Sequence, residues 1–251
     1  MEVIRAYPFG SGPPVPASTV ALWWADDLAV ADGGNVTSWT DRVGGHVLTN
    51  PSTAPVMRTT GGANSKPTVE FNGTSSYLEK GVADAISTAS QGVVIAVVSI
   101  TTPTAGAAVW SSADTAVNNR YIYGATRYQT VGEIEVQQRN SGGSDAVRGS
   151  TGVTAGTPSL LEWSSSGSAY NFRLNNATQT STTYVGSNTG DWFGDTTGRD
   201  NFTLGAIHYP SVVGFNAMKL SMLLVADAEL SAGDRTEFNA FIASHYGLTL
   251  S

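Results

Sequence analysis

From Val20 onward the chain alternates short β-branched and aromatic runs with clusters of Gly, Ser, Thr, Asn and Asp. That rhythm belongs to a β-sandwich or barrel. The run "GVVIAVVSI" at 92–100 is continuously apolar, so it predicts a strand covered on both faces. Further strands are predicted in "KPTVEFNGTSSYLEK", "RYIYGATRY", "SLLEWSSSGSAYNFRLN", "NFTLGAIH" and "AMKLSMLLVAD". In "GEIEVQQR", residues 132–139, a strand would point Glu133, Glu135 and Gln137 to one side and Ile134 and Val136 to the other. Gly73, Gly124, Gly167 and Gly205 are expected at turns or bulges, where a missing Cβ relieves strain. One helix is signalled near the end: Ser231 is a good N-cap with Asp234 three residues on, Phe238, Phe241, Ile242 and His245 recur at helical spacing, and Gly247 supplies the stop. Its apolar face must pack on the sheets.

The first 17 residues break this pattern. Pro8, Pro13, Pro14 and Pro16 with Gly10 and Gly12 deny the backbone both helix and regular sheet pairing. Two readings stay open, a disordered terminus or an extended arm that docks on a neighbouring subunit through Ile4, Tyr7 and Phe9. The domain proper is expected to span residues 18–251.

Composition narrows the partners. Of 251 residues, 41% are hydrophobic, enough for a substantial core, but only 13% are charged, about half the usual share. The surface must therefore be neutral and polar, which suits sugars or other protein subunits. A net charge of −7 without a Lys/Arg cluster argues against nucleic acid, and no apolar run reaches a membrane span. Cysteine is absent, which excludes disulfides and thiolate metal sites. The start "MEVIRAYPFGSGPPVP" lacks the regions of a secretion signal, giving the expectation that ordinary secretion is not the route and that release by lysis, as for virus particles, stays open. The sequons at Asn35, Asn72, Asn176 and Asn201 are expected by chance in a chain rich in Asn and Thr.

The order of pieces carries a resemblance. "LWWADDLAVADGGNVTSWTDRVGGHVLT", then "KPTVEFNGTSSYLEK", then "QGVVIAVVSI", and finally "FTLGAIHYP" followed by "AMKLSMLLVADAELSAGDRTEFNAFIASHYGL" resembles the concanavalin A-like jelly roll in its laminin-G-like form, over roughly residues 20–250. Its most specific part is the strand that runs into L-S-x-x-x-R and a short helix closing on Y-G-L. The resemblance implies an all-β fold, a two-sheet antiparallel jelly-roll sandwich with a short C-terminal helix, and ligands held on the concave face or by rim loops. Function does not follow from that fold, which hosts lectins, glycanases, adhesion modules and structural parts. Some relatives bind calcium through rim aspartates; "TSS" (Thr74, Ser75, Ser76) stands here where many carry acidic residues.

Candidate chemistry is confined to a few short stretches. Jelly-roll glycanases carry E-x-D-x-E or E-x-D-x-x-E on a strand, and Glu133 and Glu135 imitate the first two members, about 6.7 Å apart along the chain. Gln137 and Gln138 fill both places open to the general acid, and an amide cannot protonate a leaving oxygen. The pair is thus expected on a solvated or sugar-binding face, not in an active site. The loop "NTGDWFGDTTGRDN" (188–201) offers Asp191, Asp195 and Asp200 as candidate calcium ligands, with a plain turn-rich loop as the alternative, and Trp192 and Phe193, if exposed, as flat surface for a sugar or a partner. Trp192 and Tyr209 are the first stacking candidates, whereas Trp23, Trp24, Trp39, Trp110 and Trp163 are assigned to the core or the inter-sheet edge. His46, His208 and His245 are too far apart in sequence to suggest a zinc site.

Two function classes follow. One is a non-enzymatic structural, decoration or adhesion protein of a virus particle, such as a tailed phage, assembled with other virion subunits through the arm and forming a homo-oligomer or a larger assembly. The other is a carbohydrate-binding module of a bacterial surface or secreted protein. Glycoside hydrolysis is the remote third.

Overall fold

The computed structural model describes residues 12–81, 86–104, 106–126 and 132–251. Ile4, Tyr7 and Phe9 of the expected arm lie outside the described residues. Among these residues the chain folds into two large antiparallel sheets and one α-helix, Ala232–Tyr246.

The eight-stranded sheet is centred on Gly92–Ile100, flanked by Pro158–Ser165 on one side and Ala217–Ala226 on the other. Every residue of Gly92–Ile100 is buried, as its unbroken apolar run predicts. The reason is a cover on each face. Val94, Ala96 and Val98 enter the layer between the sheets, while Val93, Ile95 and Val97 meet the helix through Phe238, Ile242 and Tyr246. Burying Phe238 and Ile242 is worth about 1.5–3 kcal/mol each, so these two side chains anchor the helix. Its ends follow the predicted signals: Ser231 Oγ accepts the Asp234 N–H at 3.1 Å and Gly247 takes the left-handed conformation at φ 65°.

The nine-stranded sheet runs in the order Thr182–Val185, Gly143–Gly152, Glu133–Asn140, Arg120–Thr126, Ala108–Ala113, Phe202–Leu204, Leu78–Lys80, Val47–Thr49, Ser38–Thr40. Two segments distant in sequence therefore become neighbours, since Phe202–Leu204 inserts beside Ala108–Ala113. A short hairpin, Ile207–His208 with Val212–Val213, rises from this region and lies against the outer face.

Between the sheets sits an aromatic cluster. Trp110 makes edge contacts with Trp163 and Trp192 at centroid distances of 6.1 and 5.8 Å, and Trp23 stacks on Phe202 at 5.6 Å. Trp23, Trp39, Trp110 and Trp163 all belong to this core, and Trp24 lies on the other face of the eight-stranded sheet beneath the helix, where its indole donates to the Tyr246 hydroxyl at 3.0 Å.

Of the two places expected for it, a turn or a bulge, Gly124 takes the second: it lies in the strand Arg120–Thr126, opposite Trp110, where the ladder to Ala108–Ala113 shifts register between Ala108 and Trp110. A Cβ there would come within 2.1 Å of Trp110 Nε1, so the missing side chain makes room for the indole. Gly124→Ala is expected to cost about 1–3 kcal/mol through overpacking and to lower the melting midpoint by about 2–4 °C per kcal/mol. A thermal melt checks this; an unchanged midpoint would mean that Trp110 is not held as described.

Candidate ligand face

Strand alternation builds the site. In Glu133–Asn140, Ile134 and Val136 enter the inter-sheet core, which turns Glu133, Glu135, Gln137 and Arg139 to the outer face of the nine-stranded sheet. The neighbouring strand obeys the same rule: Ile122 points inward, so Tyr121 and Tyr123 point out beside them. Register then sets the pairs, with Gln137 opposite Tyr123 and Arg139 opposite Tyr121.

These side chains interlock. The Tyr123 hydroxyl donates to Gln137 Oε1, and Tyr121 lies 5.8 Å from Tyr123 and 5.5 Å from Tyr209 between ring centroids. Tyr209 reaches this position from the hairpin, 88 residues further along than Tyr121, and remains half-buried. On the far side Arg148 Nη1 holds Glu133 Oε2 at 3.0 Å, and its guanidinium sits 5.6 Å from the Tyr184 ring centre. Glu135 is 2% exposed, at the base of the group. Arg139 and Gln137 are its more open polar members.

Electrostatics agree with this packing. Burial pushes the Tyr123 phenol well above its ordinary value, and the neighbouring Glu135 carboxylate adds to the rise. Tyr121 is also raised, mainly by burial and then by Tyr209, with a hydrogen bond from Arg139 opposing the shift. Tyr209 rises by burial. All three are therefore neutral phenols at physiological pH, able to donate and accept hydrogen bonds; Tyr121 and Tyr123 are only 8% and 6% exposed, so the half-buried Tyr209 packed on them is the ring that faces outward.

Four of the sequence-predicted residues, Glu133, Glu135, Gln137 and Tyr209, thus meet on one face. Trp192 and Phe193 do not, and their candidacy as stacking surface is corrected, because the exposure it required is missing: they are 0% and 1% exposed, inside the aromatic core. The loop folds inward because burying two large rings outweighs leaving them wet. Arg199 closes over them, 5.1 Å from the Phe193 ring centre, donating to Ser112 Oγ at 2.8 Å and to the Ser87 carbonyl at 2.9 Å.

The candidate calcium ligands are corrected as well. Asp195 accepts the Trp192 N–H and the Ser90 hydroxyl, each at 2.8 Å, and Asp200 accepts the Thr115 N–H at 3.0 Å and its hydroxyl at 2.6 Å. These carboxylates are committed to holding backbone. Asp191 contributes its carbonyl to the Tyr170 hydroxyl, and among the described residues no three His, Cys, Asp or Glu side chains converge in a way that suits a metal ion. The donor set does not fit calcium. The three histidines are likewise apart: His46 contacts Lys80, His208 contacts Glu79 at 2.6 Å and His245 contacts Asp26 at 3.2 Å. Asn201, in one of the sequons, is fully buried and donates to the His208 carbonyl at 2.7 Å.

Tyr121, Tyr123, Tyr184, Arg139 and Arg148 escaped the sequence reading as site residues. The i, i+2 spacing of Tyr121 and Tyr123 around Ile122 was the available signal.

No protein-family model and no curated protein sequence matches this chain. Among solved structures it is similar to domain 4 of AbnA, a GH43 extracellular arabinanase from Geobacillus stearothermophilus, in complex with arabinotriose, with a TM-score of 0.58 and 14% identity over 90% of this chain and 100% of that one. It is also similar to the CBM40 domain of the Ruminococcus gnavus IT-sialidase bound to α2,3-sialyllactose, with a TM-score of 0.51 and 14% identity over 65% of this chain and 96% of that one. A variant of the NanB sialidase from Streptococcus pneumoniae gives a TM-score of 0.51 at 14% identity, over 67% of this chain and 27% of that enzyme. At such identities the likeness speaks to fold. The chain is a two-sheet antiparallel β-sandwich that shares the jelly-roll architecture of these domains.

Two outcomes follow from this geometry. Absorbance titration of the phenols should show a set ionising above the ordinary tyrosine range. Because their folded pKa values are raised, the stability they contribute is complete below about pH 10 and is lost as pH rises through the folded values; denaturant melts from neutral to alkaline pH read this, and a flat profile would contradict it. Calcium in place of a chelator should leave the melting midpoint unchanged, whereas a rise of several degrees would reinstate a metal site.

Proposed function

We propose that this chain is a non-catalytic glycan-binding module of a surface or secreted protein, and that it holds sugar on the outer face of the nine-stranded sheet. The observation that carries this reading is the convergence of Tyr121, Tyr123 and Tyr209 with Gln137 and Arg139 on that face. Ring surface from Tyr209, supported from below by the buried Tyr121 and Tyr123, accepts the C–H face of a sugar, and the flanking amide and guanidinium groups hydrogen-bond its hydroxyls. The sandwich fold shared with a domain solved with arabinotriose and with one bound to sialyllactose supports the same ligand class.

Binding rather than cleavage is favoured by what surrounds the two glutamates. Glu133 is engaged by Arg148. Gln137 occupies the third outward position of the strand, and Gln138 points inward, where its amide donates to Thr196 Oγ1 at 2.9 Å. Neither place open to a third carboxylate on this strand holds one, and protonation of a leaving oxygen needs such a donor. A role in a virus particle draws no support from the structures named above.

Titration calorimetry with arabinotriose and with sialyllactose tests the reading. One of them should bind, and Tyr209→Ala should weaken binding at least about tenfold, the equivalent of 1.4 kcal/mol, while the melting profile stays cooperative. Binding that survives unchanged in both Tyr209→Ala and Arg139→Ala would place the ligand elsewhere, and silence toward both sugars and a wider glycan panel would remove the proposal.

A further inference from the structure

The opposite face of the sandwich carries a second polar opening. Where the helix ends its cover of the eight-stranded sheet, a cleft of about 250 Å³ lies over the strands Pro158–Ser165, Tyr170–Leu174 and Ala177–Thr178. At its floor is Glu162, 5% exposed. Arg235 from the helix grips both oxygens of that carboxylate, one of them at 3.0 Å, and Arg173 on the neighbouring strand stands 3.6 Å away. Ser164 donates to Glu229 Oε1 at 3.2 Å on the other wall. Asn171 and Thr178 are exposed at the mouth.

A carboxylate taken out of water costs several kcal/mol before its partners offset it, and hydrophobic packing of the kind that continues under the helix would hold the same strands together without that cost. Here the buried charge is instead kept at the bottom of an opening, with donors and acceptors fixed around it. Glu162 and Glu229 balance Arg173 and Arg235, so the cleft as a whole carries no net formal charge. Phe172, although part of the lining, is fully buried and offers no ring face.

We propose that this cleft is a second ligand site, specific for a single neutral, hydroxyl-rich unit such as an unsubstituted sugar residue at a chain end. Balanced charge gives no preference for an anion. Dense, preorganised hydrogen-bonding groups match adjacent hydroxyls. The volume falls just under the range of about 300–1,000 Å³ typical of drug-sized ligands, which admits one ring and not a chain. Without an aromatic platform the site binds by hydrogen bonds alone, so it is the weaker of the two. The sugar class rests on the reading given under Proposed function, whereas the position of the site does not.

Amide chemical-shift mapping with L-arabinose, D-galactose and the uncharged polyol glycerol tests it. One sugar should produce saturable shifts at Asn171, Thr178 and Glu229, with glycerol weaker. Asn171→Trp, placed at an exposed strand position, should fill the mouth and weaken that response at least about tenfold, and Tyr209→Ala should leave it intact. Folding of the variant is checked by its helical circular dichroism and melting midpoint, and Thr178→Trp provides a second block if the first is unstable. Saturable shifts confined to the tyrosine face would overturn the cleft while sparing the glycan reading, and shifts at the cleft that persist in both blocked variants would overturn the assignment of the cleft. Absence of any saturable response at these amides would overturn it too.

Discussion

Buried indoles tie the two sheets of this molecule together: Trp23 donates to the Trp39 carbonyl at 3.2 Å near one edge, and Trp163 makes the tie that positions the candidate face. Trp163, from the eight-stranded sheet, donates its Nε1 proton across the core to the backbone carbonyl of Glu135 in the nine-stranded sheet at 2.9 Å. An indole N–H buried without a partner would be costly, so the bond fixes where the strand Glu133–Asn140 lies relative to its opposite layer. It falls beside the point where the ladder to Gly143–Gly152 shifts register between Glu133 and Glu135. With the carbonyl held there and Ile134 and Val136 packed into the core, the Glu133, Glu135 and Gln137 side chains are directed to the outer face. The proposed ligand face is thus a consequence of core packing.

The same core explains the fate of the acidic loop. Trp110, resting on the space left by Gly124, forms one wall of a pocket that Trp192 and Phe193 fill. Asp195 and Arg199 then serve as ties that hold those rings in place: burial lowers the Arg199 pKa to about 10, which leaves it charged at neutral pH, and its three hydrogen bonds and the Phe193 face compensate the lost hydration. A segment rich in carboxylates and aromatics looks, as a string of letters, like a metal or sugar loop. In three dimensions it closes one end of the sandwich. The half-open aromatic ring on the outer face is instead Tyr209, since a tyrosine tolerates a position that is apolar on one side and wet on the other.

Legibility in the sequence followed the range of the interactions concerned. Local signals were clear: unbroken hydrophobicity at 92–100 placed the central strand, Ser231 and Gly247 bracketed the helix, and alternation in "EIEVQQR" gave the two faces of a strand correctly. The resemblance to a jelly roll rested on the order of such pieces, and the two-sheet sandwich follows it. Pairings between distant segments were not legible. Nothing near Tyr209 indicates that a hairpin will carry it onto Tyr121, because the insertion of Phe202–Leu204 beside Ala108–Ala113 is decided by sheet order. For Gly124 the irregularity in the ladder was legible, but the large ring of Trp110 pressed against it was not, because that contact comes from the neighbouring strand. The anchors proposed for the arm fall outside the described residues, so the division at residue 17 stays a proposal.

If the proposed function holds, recognition happens on the tyrosine face, held in register by the core. A crystal structure of the protein soaked with the oligosaccharide that binds in solution tests this most directly. Sugar density against Tyr209, with polar contacts to Gln137 or Arg139, is the predicted result. A principal sugar bound instead at the 188–201 loop, or seated in the helix-side cleft with the tyrosine face empty, would contradict it.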